Sequence, residues 1–376
     1  MICLSIEAIQ SLNKMNKDAH TRKRLIELDG VRAIAILMIV GSHLIYYLHL
    51  NPAGSENVLD TYLVLFGLGA FFFLSGFVLA YNNREFTTWS DVVRFFKKRL
   101  FRIYPLYLVA LAIAVCAFAL VPRAHFSLSA TGVVVYALGL QGLAGQYVPD
   151  FYMFWFVGVI LLCYVTYPLL IRHARNPPRL LITSVAIFAL FLAMRLLFGI
   201  IDTRFFMYYS VFVSGVIMST FYAERLLNQR KSFVGAALAL LSVLMFVHAA
   251  LYSHQLPSDQ NYVFAAGQFG LYTDMSLFLV LTAMMLLFVP LLFDFAGRMI
   301  SLSKLVPWLM LVSYSSYAIF LFNPLILAAL SAILTQAHTF QFIRDALLII
   351  VGVLASCVFA YAFQQVTDRT LQKMAL

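Results

Sequence analysis

The stretch DTYLVLFGLGAFFFLSGFVLA, residues 60–80, carries a single charged residue, at its first position. A helix of this length rises about 30 Å, which matches the hydrocarbon thickness of a lipid bilayer. Comparable apolar runs occur along the rest of the chain, at roughly 31–50, 101–121, 151–171, 180–200, 205–222, 233–252, 269–293, 309–334 and 343–366. The sequence therefore predicts an all-α integral membrane protein with about ten transmembrane helices.

The overall composition supports the same fold class. Of 376 residues, 63% are hydrophobic and 11% are charged, whereas soluble domains are about 45–50% apolar and about 25% charged. This excludes a soluble enzyme, and four cysteines are too few for a secreted disulfide scaffold. We predict a cytosolic N-terminal tail at 1–27, a single transmembrane domain at 28–366 and a cytosolic C-terminal tail at 367–376.

The net charge of +10 reflects membrane topology, so no nucleic-acid partner is expected. Lysine and arginine concentrate in cytoplasmic loops. With ten spans and both termini cytoplasmic, every basic residue falls on the inner side except Arg123, Arg195, Arg204 and Arg344. This arrangement of ten spans requires that a weaker apolar run at 130–146, which contains glycine and glutamine, does not cross the membrane. We predict that 130–146 is a re-entrant or outer-surface segment.

The first span places a cation and an imidazole on one helix face. Asp29 is predicted to cap the helix at its inner end. Arg32 and His43 are eleven residues apart, which is close to three turns and about 16 Å along the axis. Arg32 can extend to the lipid headgroups and His43 can bond a neighbouring carbonyl, but ionisable residues inside membranes are usually functional. We therefore favour a functional pair.

Other polar features also stand out from the apolar background. The segment from Asp91 to Pro105 is predicted to be a short interfacial helix, and its Arg99 and Arg102 share a face that suits a polyphosphate or simply anchors the inner surface. Gly76 permits close approach by a backbone or a ligand. In the ninth run, Asn323 is at a depth similar to that of His43. The remaining candidates include two tyrosines of that run, Tyr314 and Tyr317, and an outer tryptophan, Trp155. Arg195 and Asp274 are also candidates, either as a structural ion pair or as residues that bind the acceptor.

Four motifs carry a family resemblance when they are taken together. They are LDGVRA at 28–33 followed by His43, FFLSGF at 72–77, RLFRIYP at 99–105 and SYSSY at 313–317. In this order and spacing they resemble membrane-bound acyltransferase family 3, whose members O-acylate bacterial surface glycans. The resemblance covers residues from about 25 to 366.

The resemblance implies a multi-pass protein of the bacterial inner membrane that uses cytosolic acyl-CoA, usually acetyl-CoA, and no metal. It implies Arg32 and His43 as the catalytic core and Arg99 and Arg102 as the donor-binding arginines. The pantetheine arm of the donor is expected to pass residues near the inner side of the membrane: Ser75, Gly76 and Tyr104. The acceptor would be a glycan or a lipid-linked sugar, with the ninth-run residues, Trp155, Arg195 and Asp274 in supporting roles.

Two positions depart from the family pattern. Ile160 stands where a glutamate is frequent, and Asn323 stands where many members have histidine. His43 is then the obvious titratable candidate at mid-membrane depth, either as a general base or as a nucleophile that forms an acyl-histidine. Asn323 or Tyr317 could polarise the thioester carbonyl or position the acceptor. A multi-pass exporter of a lipid-linked or small hydrophobic substrate, or a non-catalytic partner in glycan assembly, are the alternative functions.

Overall fold

A computed structural model describes residues 25–48, 58–82, 86–120, 129–144, 151, 154–174, 176–221, 231–252, 270–302 and 304–374. These residues are almost entirely helical and contain no strand. In chain order the elements are α1 (Ile26–Tyr47), α2 (Val58–Asn82), α3 (Trp89–Leu120), α4 (Ala130–Ala137), α5 (Gln141–Ala144), α6 (Trp155–Arg172), α7 (Pro177–Phe198), α8 (Arg204–Phe221), α9 (Lys231–Tyr252), α10 (Gly270–Ser301), α11 (Val306–Tyr314), α12 (Ser316–Gln336), α13 (Gln341–Leu347), a π-helix (Leu348–Gly352) and α14 (Val353–Met374).

The architecture is that of an all-α integral membrane protein, as predicted. Among the described residues, eight helices are long and apolar enough to cross a bilayer, and the other two predicted runs form α8 and α9. The count of ten spans and the cytoplasmic position of both termini stay predictions. The run at 130–146 contains α4 and α5, which have eight and four residues. Neither is long enough to cross hydrocarbon.

The helices differ in how much of their surface faces lipid. Most of α2 and α6 is enclosed by other helices, whereas α7 and α14 are largely exposed. Leu181, Ile182 and Leu197 on α7 are each more than half exposed, and such a surface is stable only against acyl chains. The buried part is held by aromatic contacts such as Phe72 with Tyr208, whose ring centroids are 4.5 Å apart.

Two glycines allow α2 and α8 to pack with their backbones in contact. A Cβ atom on Gly76 would overlap the carbonyl oxygen of Phe212, and one on Gly215 would overlap the carbonyl oxygen of Phe73. Small residues commonly mediate such close crossings in membranes, where apolar side chains gain nothing by leaving lipid. The close approach that Gly76 permits is therefore made by a helix.

Three local predictions are corrected by the structure. Helix α1 begins at Ile26 with Leu25 as its N-cap, so Asp29 lies inside the first turns and does not cap the helix. The predicted short interfacial helix is part of the 32-residue α3, which continues through Pro105. The ninth run is not continuous, because the backbone turns at Ser315 between α11 and α12.

Candidate active site

His43 lies on the face of α1 that packs against α12. Its Nδ1 atom is 2.9 Å from Oδ1 of Asn323, and Asn323 is fully buried. The hydroxyl of Tyr47, one turn further along α1, donates to the carbonyl of Pro324 at 3.2 Å. The similar depths inferred from sequence thus correspond to a direct contact, and two hydrogen bonds fix the register of α1 against α12.

The contact continues from Asn323 into the last helix. Asn323 Nδ2 donates to the hydroxyl of Ser356 at 3.0 Å, and that hydroxyl donates to the carbonyl of Gly352 at 2.7 Å. Ser356 is fully buried. Sequence reasoning missed Ser356, because an isolated serine in an apolar helix usually bonds its own backbone.

A second polar contact is made by the residue next to His43, in the C-terminal half of α1. The hydroxyl of Ser42, the preceding residue, donates to the carboxylate of Asp60 in the first turn of α2. Ser42 is buried and Asp60 is partly buried. Asp60 is the one charged residue of the stretch that defines the second span, and sequence reasoning assigned it no function.

Arg32 lies on the same face of α1 as His43, about three turns toward the N-terminus of the helix. Its guanidinium is 3.3 Å from the carboxylate of Asp29. The same carboxylate oxygen accepts a hydrogen bond from Ser313 on α11 at 3.0 Å. Asp29 therefore joins Arg32 to the segment just before the break at Ser315.

Arg99 and Arg102 lie three residues apart in the N-terminal half of α3, and so share a face of that helix. The Nε atom of Arg99 is buried and has no hydrogen-bond partner among the described residues. The guanidinium lies 5.8 Å from the ring centroid of Phe95, close to Tyr164, Tyr167 and the positive charge of Arg102. Arg102 itself is exposed. Two like charges close together, one of them with an unsatisfied donor, are an arrangement that an anion could complete.

Several other predicted site residues make interhelical contacts. Tyr104 donates to the carbonyl of Leu138 at 2.6 Å, and Tyr317 donates to the carbonyl of Ile103 at 3.2 Å. Tyr314 donates to the carboxylate of Asp368 on α14. These hydroxyls hold neighbouring elements together.

Two residues of the predicted donor path lie on α2. Ser75 is half-buried, whereas the space beside Gly76 is filled by α8.

Trp155 belongs to a cluster of aromatic and charged side chains. Trp155 stacks on Tyr208, and its ring centroid is 4.2 Å from the guanidinium carbon of Arg204. Arg204 pairs with Asp202 at 2.6 Å, and both side chains are nearly buried. Sequence reasoning missed this pair, because it treated Arg204 only as a basic residue on the outer side.

The ion pair of Arg195 with Asp274 that was considered from sequence stays a prediction. The guanidinium of Arg195 donates to the carbonyls of Gly199 and Ile201, at 3.1 and 3.4 Å, and so closes the C-terminal end of α7. Asp274 belongs to α10, but its side chain lies outside the described part of the chain.

The comparisons with known proteins decide the family. A sequence model described as an acyltransferase domain, acyltransferase family 3, matches residues 25–363, nearly the whole chain. The chain belongs to acyltransferase family 3. Family membership and the helical bundle together establish a membrane acyltransferase, which favours this class over the exporter considered from sequence.

Curated proteins and solved structures add little to the assignment of this acyltransferase. It is similar to "Protein 2 in picA locus" of Rhizobium radiobacter, with 39% identity over 93 residues. The matched region is 24% of this chain and 44% of that protein, so the chain spans less than half the length of this relative. No solved structure matches. Among the described residues, no group of three or more His, Cys, Asp or Glu side chains could hold a metal ion.

Proposed function

We propose that this acyltransferase moves an acyl group, by default acetyl, from cytosolic acyl-CoA to a hydroxyl of a surface glycan or lipid-linked sugar. The observation that carries the proposal is the contact of His43 with Asn323 inside the bundle, about three turns above Arg32 on one face of α1. An imidazole held in this way, in line with an inner cation, suits a donor that arrives from the cytosol and an acceptor that arrives from the other side of a bacterial inner membrane.

The anionic end of the donor binds at the inner face in this proposal. Phosphates cannot enter hydrocarbon without a partner. The unsatisfied Nε of Arg99 and the exposed guanidinium of Arg102 offer charge-assisted hydrogen bonds, and a planar guanidinium fork fits a phosphate well. Arg32 lies further along the path, where Asp29 fixes its direction.

The pantetheine arm then extends between the helices toward His43. It covers the distance of about 16 Å that separates Arg32 from His43 along α1. Ser75 remains on the path as a half-buried hydroxyl. Gly76 and Tyr104 are not assigned to donor binding, because their neighbouring space and hydroxyl are used by α8 and by Leu138.

His43 acts as the general base of the transfer. Because Nδ1 contacts Asn323, Nε2 is the nitrogen that is free to meet substrate. It takes the proton from the acceptor hydroxyl while the hydroxyl oxygen attacks the thioester carbonyl. The carbon–sulfur bond then breaks, and the CoA sulfur leaves with the proton from the imidazolium. The step requires a neutral imidazole before substrate binds.

Asn323 orients the imidazole in this scheme and does not polarise the thioester. Both ends of its carboxamide are engaged, one with His43 and the other with Ser356. Tyr317 likewise has its hydroxyl on the carbonyl of Ile103. A carboxamide cannot carry a proton, so the proton moves only between the acceptor, His43 and the leaving sulfur.

Deletion of the gene, followed by analysis of the surface glycan, tests the proposed function. We expect one ester to disappear from a defined hydroxyl. We also expect the purified protein in liposomes to transfer radiolabelled acetyl from acetyl-CoA to that glycan. An unchanged ester pattern, together with no acyl-dependent release of CoA by the purified protein, would contradict the proposal.

A further inference from the structure

Three hydrogen bonds connect the imidazole of His43 to the backbone of the π-helix Leu348–Gly352, and each has a definite direction. The carbonyl of Gly352 has only lone pairs, so the hydroxyl proton of Ser356 points to it. The oxygen of Ser356 is then an acceptor toward α12 and receives the Nδ2 hydrogen of Asn323. Oδ1 of Asn323 therefore faces His43 as an acceptor.

This order determines which ring nitrogen carries the proton. An acceptor oxygen 2.9 Å from Nδ1 requires a hydrogen on Nδ1. In a neutral imidazole, Nε2 is then unprotonated and able to accept a proton. If the carboxamide of Asn323 turned over, its Nδ2 would donate to Nδ1 and the ring proton would move to Nε2. That tautomer cannot act as a base toward the substrate.

The backbone around Ser356 supports this arrangement. Ser356 lies in the first turn of α14, which follows directly on the π-helix Leu348–Gly352, a wide turn that is frequent at functional sites. A Cβ atom on Gly352 would lie 2.6 Å from a methyl group of Leu327 on α12. The absence of a side chain at Gly352 thus lets this segment approach α12 closely, which brings the Ser356 hydroxyl within reach of Asn323.

We propose that Ser356 is a positioning residue that, through Asn323, keeps the proton of neutral His43 on Nδ1 and leaves Nε2 free to act as the base. This inference rests on the proposed function of His43. It assigns a task to a residue of the last helix that touches neither substrate nor imidazole. It also explains how the carboxamide of Asn323 can orient the imidazole. A carboxamide selects one tautomer of His43 only when its own oxygen and nitrogen are held in fixed positions.

A double-mutant comparison tests the proposal. Ser356→Ala should lower kcat about tenfold, since one orienting hydrogen bond is lost, with the KM for acetyl-CoA and the thermal unfolding midpoint unchanged. In an Asn323→Asp background, either carboxylate oxygen accepts from Nδ1. There, Ser356→Ala should change kcat less than about twofold, with each variant measured on its own pH plateau.

Ser184→Ala is the matched control. Ser184 is also buried and donates to the carbonyl four residues earlier, Leu180, at 2.8 Å, so its substitution should leave kcat unchanged. In addition, ¹⁵N spectra of histidine-labelled protein, with the His43 signals assigned by their loss in His43→Gln, should show the Nδ1–H form in the wild type. Ser356→Ala should show a mixture of tautomers.

Three outcomes separate this inference from the proposed function. Equal losses of kcat from Ser356→Ala in the wild-type and Asn323→Asp backgrounds would show a merely structural role and overturn the inference. Full activity of Ser356→Ala beside an inactive His43→Gln would overturn the inference and leave the proposed function intact. Full activity of His43→Gln would overturn the proposed function itself.

Discussion

Replacement of His43 by glutamine is expected to lower kcat by about 10²–10⁴-fold, the usual contribution of a general base. Glutamine keeps similar bulk and hydrogen-bonding capacity, so the contact with Asn323 can persist and the fold should not change. The measurement is steady-state release of CoA by purified protein in liposomes, with an acceptor present. The thermal unfolding midpoint should stay within the error of the wild type.

His173→Gln provides the control for this substitution. His173 follows the last turn of α6 and is half-buried, and it has no role in the proposed mechanism, so its replacement should leave kcat unchanged. A fully active His43→Gln protein would contradict the catalytic assignment. A burst of CoA release equal to the amount of enzyme, seen in the wild type without acceptor, would instead indicate an acyl-histidine intermediate.

Replacement of both Arg99 and Arg102 by glutamine should raise the KM for acyl-CoA about 10²-fold, because two charge-assisted contacts to phosphate are lost. At saturating donor, kcat should be nearly unchanged, since in the proposed mechanism the arginines bind the part of the donor that does not react. The KM and kcat are measured with acetyl-CoA over a range of ionic strength, and the wild-type KM should rise with salt.

Arg94→Gln is the control for the arginine pair. Arg94 lies on the same helix, but its side chain is 66% exposed and weakly paired with Asp91 at 3.9 Å. Its replacement should change the KM less than about twofold. An unchanged KM in the double variant, or an equal rise in the control, would refute the phosphate-binding role.

The fold class was predictable because hydrocarbon imposes a simple requirement. Backbone groups in a bilayer must bond within their own segment, so long apolar runs become helices. The ten runs read from the sequence all appear as helices. The break at Ser315 was not predictable, because its N–H and carbonyl still bond along the chain, to Leu311 and Ile319, and hydropathy is insensitive to such a turn.

The central contact of the site was also accessible from the sequence. His43 and Asn323 are both costly in hydrocarbon, and helix rise alone placed them at similar depth. Ser356 was not accessible, because a serine hydroxyl can bond its own helix and so carries no signature of a partner. Only the packing of α14 on α12 shows that its oxygen accepts from Asn323.

The tyrosines and Gly76 show an ambiguity that the sequence could not resolve. Their sequence context could not distinguish a role in ligand binding from a contact with a neighbouring helix. A ligand and a helix can each accept a hydrogen bond from a tyrosine hydroxyl, and each can occupy the space beside a glycine. The structure assigns Tyr104, Tyr317 and Gly76 to contacts between helices. In a membrane bundle, where interhelical bonds replace the hydrophobic effect as the specific contact, this is the expected use of such residues.

The proposed mechanism depends on a donor that is bound at the inner face and reaches an imidazole inside the membrane. A cryo-electron microscopy structure with a non-hydrolysable acyl-CoA analogue tests this most directly. We predict that its phosphates contact Arg99 and Arg102 and that the carbonyl carbon of the thioester analogue lies about 4 Å from the side of His43 bearing Nε2. An analogue whose acyl end lies outside the bundle, or is separated from His43 by packed helices, would contradict the mechanism.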